Sequence, residues 1–422
     1  MVTLISTPAQ LQGINLNSTT LAGDYELAND IDMSGFIFTS IGSQLHGEFT
    51  GSLDGKGFTI SNLSFTTPRQ EYFGLFGKIL NATLKNINMT NFAITNTYGS
   101  SIIGGLVGRN DNSLIEYCNI EGVINDSGPC VYLGGLLGYG DGVSCIVRYS
   151  SANVIINTST NGNMGDFVGN MGGFVGNFLQ GTIKECFSEG SVNITGSDQY
   201  NPGGFAGHIG WGLVSVSAIV QNCYCRGACN DFSSSGAAGG FYNTAANLAQ
   251  IINCFSTGAV NTPGGGFGQT NYGTIINCFW DVNTSGQADS WGEGVGKTTA
   301  QMKTQSTFAG YDFTTKWGID PTKNDGYPYL QAFYPVPPVP PTPTPVKPSY
   351  GSGTRSDPYI IQGINNLNYL RTEPYAHYAL GNDIDASSTA TWRGGLGWEQ
   401  ITDFYGTLDG RGYKITGLKM LG

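Results

Sequence analysis

The chain has 422 residues, 64 of them glycine, with only 12% charged residues and a formal net charge of −11. Aromatic residues at 12% and apolar residues at 40% exclude a disordered chain. The lack of any Lys/Arg cluster argues against nucleic acid and anionic membrane surfaces as partners.

No apolar run reaches the roughly 18 residues that a transmembrane helix needs. The first residues, MVTLISTPAQLQGINL, lack the charged and apolar regions of a signal peptide, so either a leader lies outside this numbering or export uses another route. Residues 1–65 read as an entry coil and N-terminal cap. Leu11 and Ile14 face inward, and Tyr25 to Asp32 leads on to Phe49–Ile60, where Asp54-Gly55 between apolar runs predicts strand, turn and strand. A cap is needed because an open solenoid end exposes core and unpaired strand edge.

Residues 66–280 carry seven copies of a refrain whose clearest form is GGFVGNFLQGTIKECFSEGSV from Gly172. Its second glycine recurs at 74, 105, 135, 173, 204, 240 and 266, at intervals of 31, 30, 38, 31, 36 and 26 residues. Each copy holds short, β-branched or aromatic runs (GGFVG, TIKECF, SVNI) punctuated by Gly, Asn and Ser. Three strand-sized runs per copy cannot close a sheet alone. Stacked on the next copy, each pairs in parallel with its counterpart, giving an all-β solenoid, a parallel β-helix. Two slots should then form internal stacks: Cys118, Ser150, Cys186, Cys223, Cys254 and Cys278, and Leu75, Leu106, Leu136, Phe174, Phe205, Phe241 and Phe267. The paired glycines suit a sharp corner.

Residues 281–333 break the rhythm and read as a C-terminal cap over the last coil, with a short helix near Thr298–Lys303. Residues 334–349, YPVPPVPPTPTPVKPS, form a proline-rich linker of about 50 Å in extended polyproline conformation. Residues 350–422 begin again: Tyr378–Asp385 repeats Tyr25–Asp32, and Phe404–Ile415, with Asp409-Gly410 at its turn, repeats Phe49–Ile60. This partial second module is expected to be completed by a longer tandem array or by docking on another copy.

At these residues the chain resembles the GLUG-motif repeat proteins of bacterial and archaeal surfaces. The refrain carries the likeness, together with LANDIDMSG…FTGSLDGKGFTISNL, GNDIDASST…FYGTLDGRGYKITGL and the CFWDVNTSGQ…NDGYPYLQ flank. The resemblance implies a right-handed parallel β-helix in exported adhesin-like proteins. It implies no catalytic residues, catalysis in relatives such as surface proteases lying in another domain.

Site chemistry is sparse. The acidic residues read as scattered over turns and caps, with no two in one slot of successive copies, and His46, His208 and His377 fall in unrelated contexts. Asp30 and Asp32, with Asp383 and Asp385, are candidate Ca²⁺ ligands, but turn acids that accept backbone amides are the preferred reading. No other cofactor is expected. Cys223, Cys225 and Cys229 lack an evident fourth zinc ligand. Disulfides are conceivable between Cys130 and Cys145 or within Cys223, Cys225 and Cys229. Tyr139, Trp211 and Tyr242 could stack on sugars. Eight Asn-x-Ser/Thr sequons, at Asn17, Asn62, Asn81, Asn88, Asn125, Asn157, Asn193 and Asn283, permit glycosylation. The expectation is a non-enzymatic extracellular structural protein whose modules associate with one another in a fibre, filament or stalk. The alternatives are an adhesin for glycan or a host surface, and a β-helix polysaccharide lyase or hydrolase.

Overall fold

In the computed structural model all residues are described except 1, 44–46, 68–70, 100, 129, 160–168, 196–199, 211–216, 233–236, 262–263, 292, 335–343, 396, 399, 402 and 421–422. His46, Trp211 and most of the proline-rich linker therefore lie outside the described residues. The described chain divides into two compact units, Met1–Phe333 and Tyr334–Gly422.

The first unit is a parallel β-helix. One coil runs through the strands Ile102–Gly104, Val107–Asp111, Leu114–Glu116 and Asn119–Asp126. The next runs through Tyr132–Gly134, Leu137–Asp141, Ile146–Arg148 and Ser151–Thr158, each pairing in parallel with the strand before it. Among the described residues this stacking builds four parallel sheets of five, seven, ten and thirteen strands. Four strands per coil replace the expected three, because the glycine pair divides one apolar run into two. A Cβ at Gly135, Gly173, Gly204 or Gly240 would fall on the carbonyl oxygen of the glycine one coil further on. No larger residue fits that corner without moving the backbone of the next coil.

Inside, the apolar slot is a continuous pile of rings. Phe174, Phe205, Phe241 and Phe267 are fully buried and near-parallel, with centroids 4.7, 4.7 and 5.1 Å apart. Cys118, Ser150, Cys186, Cys223, Cys254 and Cys278 line a neighbouring column, and Cys118, Cys186, Cys254 and Cys278 each direct a thiol to the carbonyl two residues earlier. The residue before this slot is left-handed in seven successive coils, with φ between 51° and 55° at Asn86, Tyr117, Tyr149, Glu185, Asn222, Asn253 and Asn277. Asn suits that conformation because its short amide bonds locally. Outside, charges alternate up the ten-stranded sheet: Asp54, Lys85, Glu116 and Arg148 are successive register partners, with Lys85–Asp54 and Arg148–Glu116 pairs at 3.4 and 2.6 Å.

Asp54-Gly55 makes no hairpin. The strands on either side, Ser52–Asp54 and Thr59–Ser61, belong to different sheets, so the pair is a corner of the coil. Asp54 Oδ1 accepts from the Lys56 amide and from Asn86 Nδ2 of the next coil, both at 2.9 Å.

Of the expected cap, 281–333, residues 281–298 stay on the last coil, where Val295–Lys297 pairs with Phe279–Asp281 and Ser290 Oγ accepts from the Phe267 and Gly268 amides, but residues 299–333 do not cover that end. They run back along the outside of the thirteen-stranded sheet, against an outward ladder of Phe187, Tyr224, Phe255 and Phe279. Phe308 lies 5.3 Å from Phe279, Trp317 lies 5.7 Å from Phe255 and 6.2 Å from Tyr224, and Phe333 meets Phe187 edge-on at 4.7 Å. Lys316–Glu185 at 2.7 Å, Arg226–Asp325 and the Tyr327 hydroxyl on Asp281 at 2.7 Å fasten this strap. The physical reason is burial: aromatic residues on the outer face of four coils need a cover, and the strap supplies one.

The second unit repeats the opening of the first. Tyr359–Ile361, His377–Leu380 and Thr407–Asp409 form a parallel sheet in which Tyr378 pairs with Leu408, as Tyr25 pairs with Leu53. It has its own core around Tyr359, Tyr378, Ile384, Trp392 and Trp398.

Candidate functional site

The densest chemistry lies on the outer face of the seven-stranded sheet. Lys78, Arg109, Tyr139, Asn177 and His208 are successive register partners there, and Asp111 pairs with Asp141. The two aspartates thus occupy one slot of neighbouring coils, six residues after Gly105 and Gly135, contrary to the expectation of scattered acids. Arg109 Nε reaches both Asp111 oxygens at 3.0 Å, and its guanidinium lies 4.8 Å from the Tyr139 ring and 5.7 Å from Tyr72. Lys78 Nζ bridges Glu48 at 2.9 Å and Asp111 at 3.5 Å. Burial opposes the charges on Lys78 and Arg109, but the facing carboxylates outweigh it and raise both above their ordinary range. Lys78 in turn holds Glu48 below the usual carboxylate range. Asp111 is therefore neutralised by two cations, which suits a register lock better than an acid–base pair.

The candidate calcium ligands are engaged with the next coil and with their own turns. Asp30 Oδ1 accepts from the Thr59 amide and Asp383 Oδ1 from the Lys414 amide, both at 2.8 Å. Asp32 accepts from Asn62, Ser34 Oγ and the Ser34 amide, and Asp385 from the Ser387 amide. These hydrogen bonds, that from Asn62 foremost for Asp32 and that from Ser387 for Asp385, lower both acids. In the second unit Asp409 accepts from the Arg411 amide at 2.9 Å, the same turn bond that Asp54 makes, with Gly410 following as Gly55 does.

All nine cysteines are free and buried. The considered disulfides are not made. Cys130 instead directs its thiol to the Ser101 carbonyl at 2.7 Å, and Cys225 to the Gly227 carbonyl at 3.6 Å. Burial pushes Cys118 and Cys225 up to about 12, so these thiols are inert. Among the described residues no three His, Cys, Asp or Glu side chains gather as a metal site, and Cys223, Cys225 and Cys229 do not converge as one.

The sugar-stacking candidates also change. Tyr242 is fully buried and Tyr139 is covered by Arg109. Two tyrosines that sequence reading passed over stand out at the corner between the ten- and thirteen-stranded sheets. Tyr117 is 45% exposed and stacks on Tyr149 at 4.8 Å. Their signal was available: both occupy the slot that holds Asn in four other coils.

No protein-family model matches the chain. Halomucin of Haloquadratum walsbyi is 29% identical over 341 residues, covering 78% of this chain. A protein of Evansella cellulosilytica, provisionally named a Gly-rich membrane protein, is 34% identical over 127 residues, 27% of this chain. An immunoglobulin A1 protease of Streptococcus pneumoniae is 30% identical over 243 residues, 54% of this chain. The chain spans 3%, 14% and 11% of the lengths of these relatives. Among solved structures, a Bacteroides ovatus protein provisionally named an immunoglobulin A1 protease matches at TM-score 0.53 and 18% identity, over 78% of this chain and 92% of that one. A structure named IgA1 protease matches at TM-score 0.50 and 20% identity, over 73% of this chain and 24% of that one. The shared fold is the β-helix. Fold and relatives together are those of a surface or extracellular β-helical protein. The non-enzymatic expectation is corrected: three sequence relatives at 26, 28 and 30% identity carry the name of a protease, as do both structures.

Proposed function

We propose that the chain is a stretch of GLUG-type modules in a larger exported protein, serving as a stiff surface spacer that carries other domains outward. The observation behind this reading is the restarted entry: the second unit rebuilds the first coil's pairing of Tyr25 with Leu53 as Tyr378 with Leu408, after a proline-rich stretch. Axial ladders of hydrogen bonds, rings and alternating charges give each module stiffness, and few charges and many small polar residues give it a protease-resistant skin. Tandem modules of this kind suit a fibre or stalk. Negative-stain imaging of the intact parent protein, with antibody labelling of whole cells, tests the proposal. Rods of regularly repeated segments at the cell surface support it; a compact particle or an unlabelled surface overturns it.

A second reading is favoured by the 30% identity to the pneumococcal protease over 243 residues. Here the β-helix is part of a protease that acts on immunoglobulin A1. Incubating the intact parent protein with immunoglobulin A1 and resolving the heavy chain on a gel decides this case.

A further inference from the structure

We propose that the corner beside Tyr117 binds a neutral polysaccharide chain, a sugar ring lying flat on the open face of Tyr117. The proposal rests on the surface reading above and names what that surface would hold.

Two independent features meet at this corner. The backbone at Tyr117 and Tyr149 is left-handed, with φ of 54° and 51°. The same slot holds Asn at 86, 222, 253 and 277, where this conformation is easily adopted. A bulky aromatic residue is disfavoured there, so two successive tyrosines keep their rings at the corner against local preference. The second feature is a step. Tyr149 covers one face of the Tyr117 ring. Beyond the other face comes Asn86, shorter than a tyrosine and drawn away by its bond to Asp54 of the preceding coil. An open hollow of about 490 Å³ results, lined by Asp54, Lys56, Gly57, Asn86, Asn88, Tyr117 and Asn119.

That lining suits a sugar. An aromatic ring offers its π-face to the C–H face of a pyranose, while amides and a carboxylate around the rim pair with ring hydroxyls. Asn88 and Asn119 are ordered: Asn119 Nδ2 donates to Asn88 Oδ1 at 3.3 Å, Asn88 Nδ2 to the Gly57 carbonyl at 2.9 Å, and Ser151 Oγ to Asn119 Oδ1 at 2.7 Å. The polar groups are thus held in place before any ligand arrives, which lowers the ordering cost of binding. Lys56 is balanced by Glu26 and Asp54 at 3.5 and 3.7 Å, so the hollow carries no uncompensated cation and a neutral chain fits better than an acidic one.

The test uses the full 422-residue chain, with cellohexaose, xylohexaose and mannohexaose as probes, in saturation-transfer NMR and calorimetry. The key variant is Tyr117→Asn, which installs the residue the slot carries in four other coils and should keep or raise the melting temperature. Saturable binding of at least one hexasaccharide, weakened about tenfold or more in Tyr117→Asn, is the expected result. Equal binding by wild type and variant, or no saturable binding of any of the three, overturns the proposal. Cell-surface labelling is read separately, so absence of sugar binding by the wild-type chain with labelling intact removes this inference and leaves the surface reading standing.

Discussion

Asp126 sets a pH dependence that can be worked out from its surroundings. The residue is 2% exposed on the inner edge of the thirteen-stranded sheet. Asn96 Nδ2 donates to it at 2.7 Å, the Gly128 amide at 3.3 Å and Thr158 Oγ1 at 3.5 Å. Burial outweighs these donors and pushes its pKa from 3.8 up to about 7. Between those values the folded protein holds a proton that the unfolded chain has released. The contribution of Asp126 to stability is therefore fullest at low pH and falls as pH rises through this window. About three pH units at about 1.4 kcal/mol each give a loss of about 4 kcal/mol by pH 8, an upper figure. Asp126→Asn keeps an acceptor for Asn96 and cannot ionise. Urea unfolding of both proteins at about pH 4 and about pH 8 should show the variant gaining a few kcal/mol at the higher pH and little at the lower. Burial also raises Glu189 and lowers His208, but both are present in each protein and cancel in the difference. A difference that does not change with pH would refute the reasoning.

Three further outcomes are expected. Phe205→Ala, which removes a ring with neighbours at 4.7 Å on both sides, should cost about 3–5 kcal/mol in denaturant unfolding. Trp317→Ala should cost a similar amount, about 3–5 kcal/mol, and open residues 299–333 to limited proteolysis before the coils themselves are cut. Asn193→Ala interrupts an amide ladder in which Asn193 donates to Asn157 at 2.9 Å and accepts from Asn230 at 2.8 Å, and should cost about 1–2 kcal/mol by the same measurement.

The solenoid was legible because its period is written in residues with one physical use each. Gly173 and its counterparts admit no Cβ, and the Phe174 column repeats on that frame. The glycine pair marked a sharp corner, but a separate strand on each side of it was not legible, since the two short strands read as a single apolar run. The strap was missed for a different reason. The residue after the Cys slot is Asn119 and Ser151 in two coils, then Phe187, Tyr224, Phe255 and Phe279. Alternation turns that residue outward, so the change from polar to aromatic marks a covered face, yet an apolar residue beside a core cysteine is easily counted as core. Asp111 and Asp141 were missed by reading acids along the chain instead of counting from each anchor glycine. Tyr117 and Tyr149 left no composition signal; they matter through the conformation of their slot.

The strap also constrains how such a module can lengthen over generations. Its rings meet Phe279, Phe255, Tyr224 and Phe187 in turn, so the spacing of its contacts is matched to four consecutive coils. A duplicated coil inserted between Phe187 and Phe279 would move these partners out of step by about 4.8 Å and strand one aromatic residue uncovered. A duplication ahead of Phe187, among the coils with Asn119 and Ser151 at that position, would leave the match untouched. Growth by repeat gain is thus permitted in the N-terminal half of the solenoid and penalised in the C-terminal half, and the strap acts as a ruler for the part it covers.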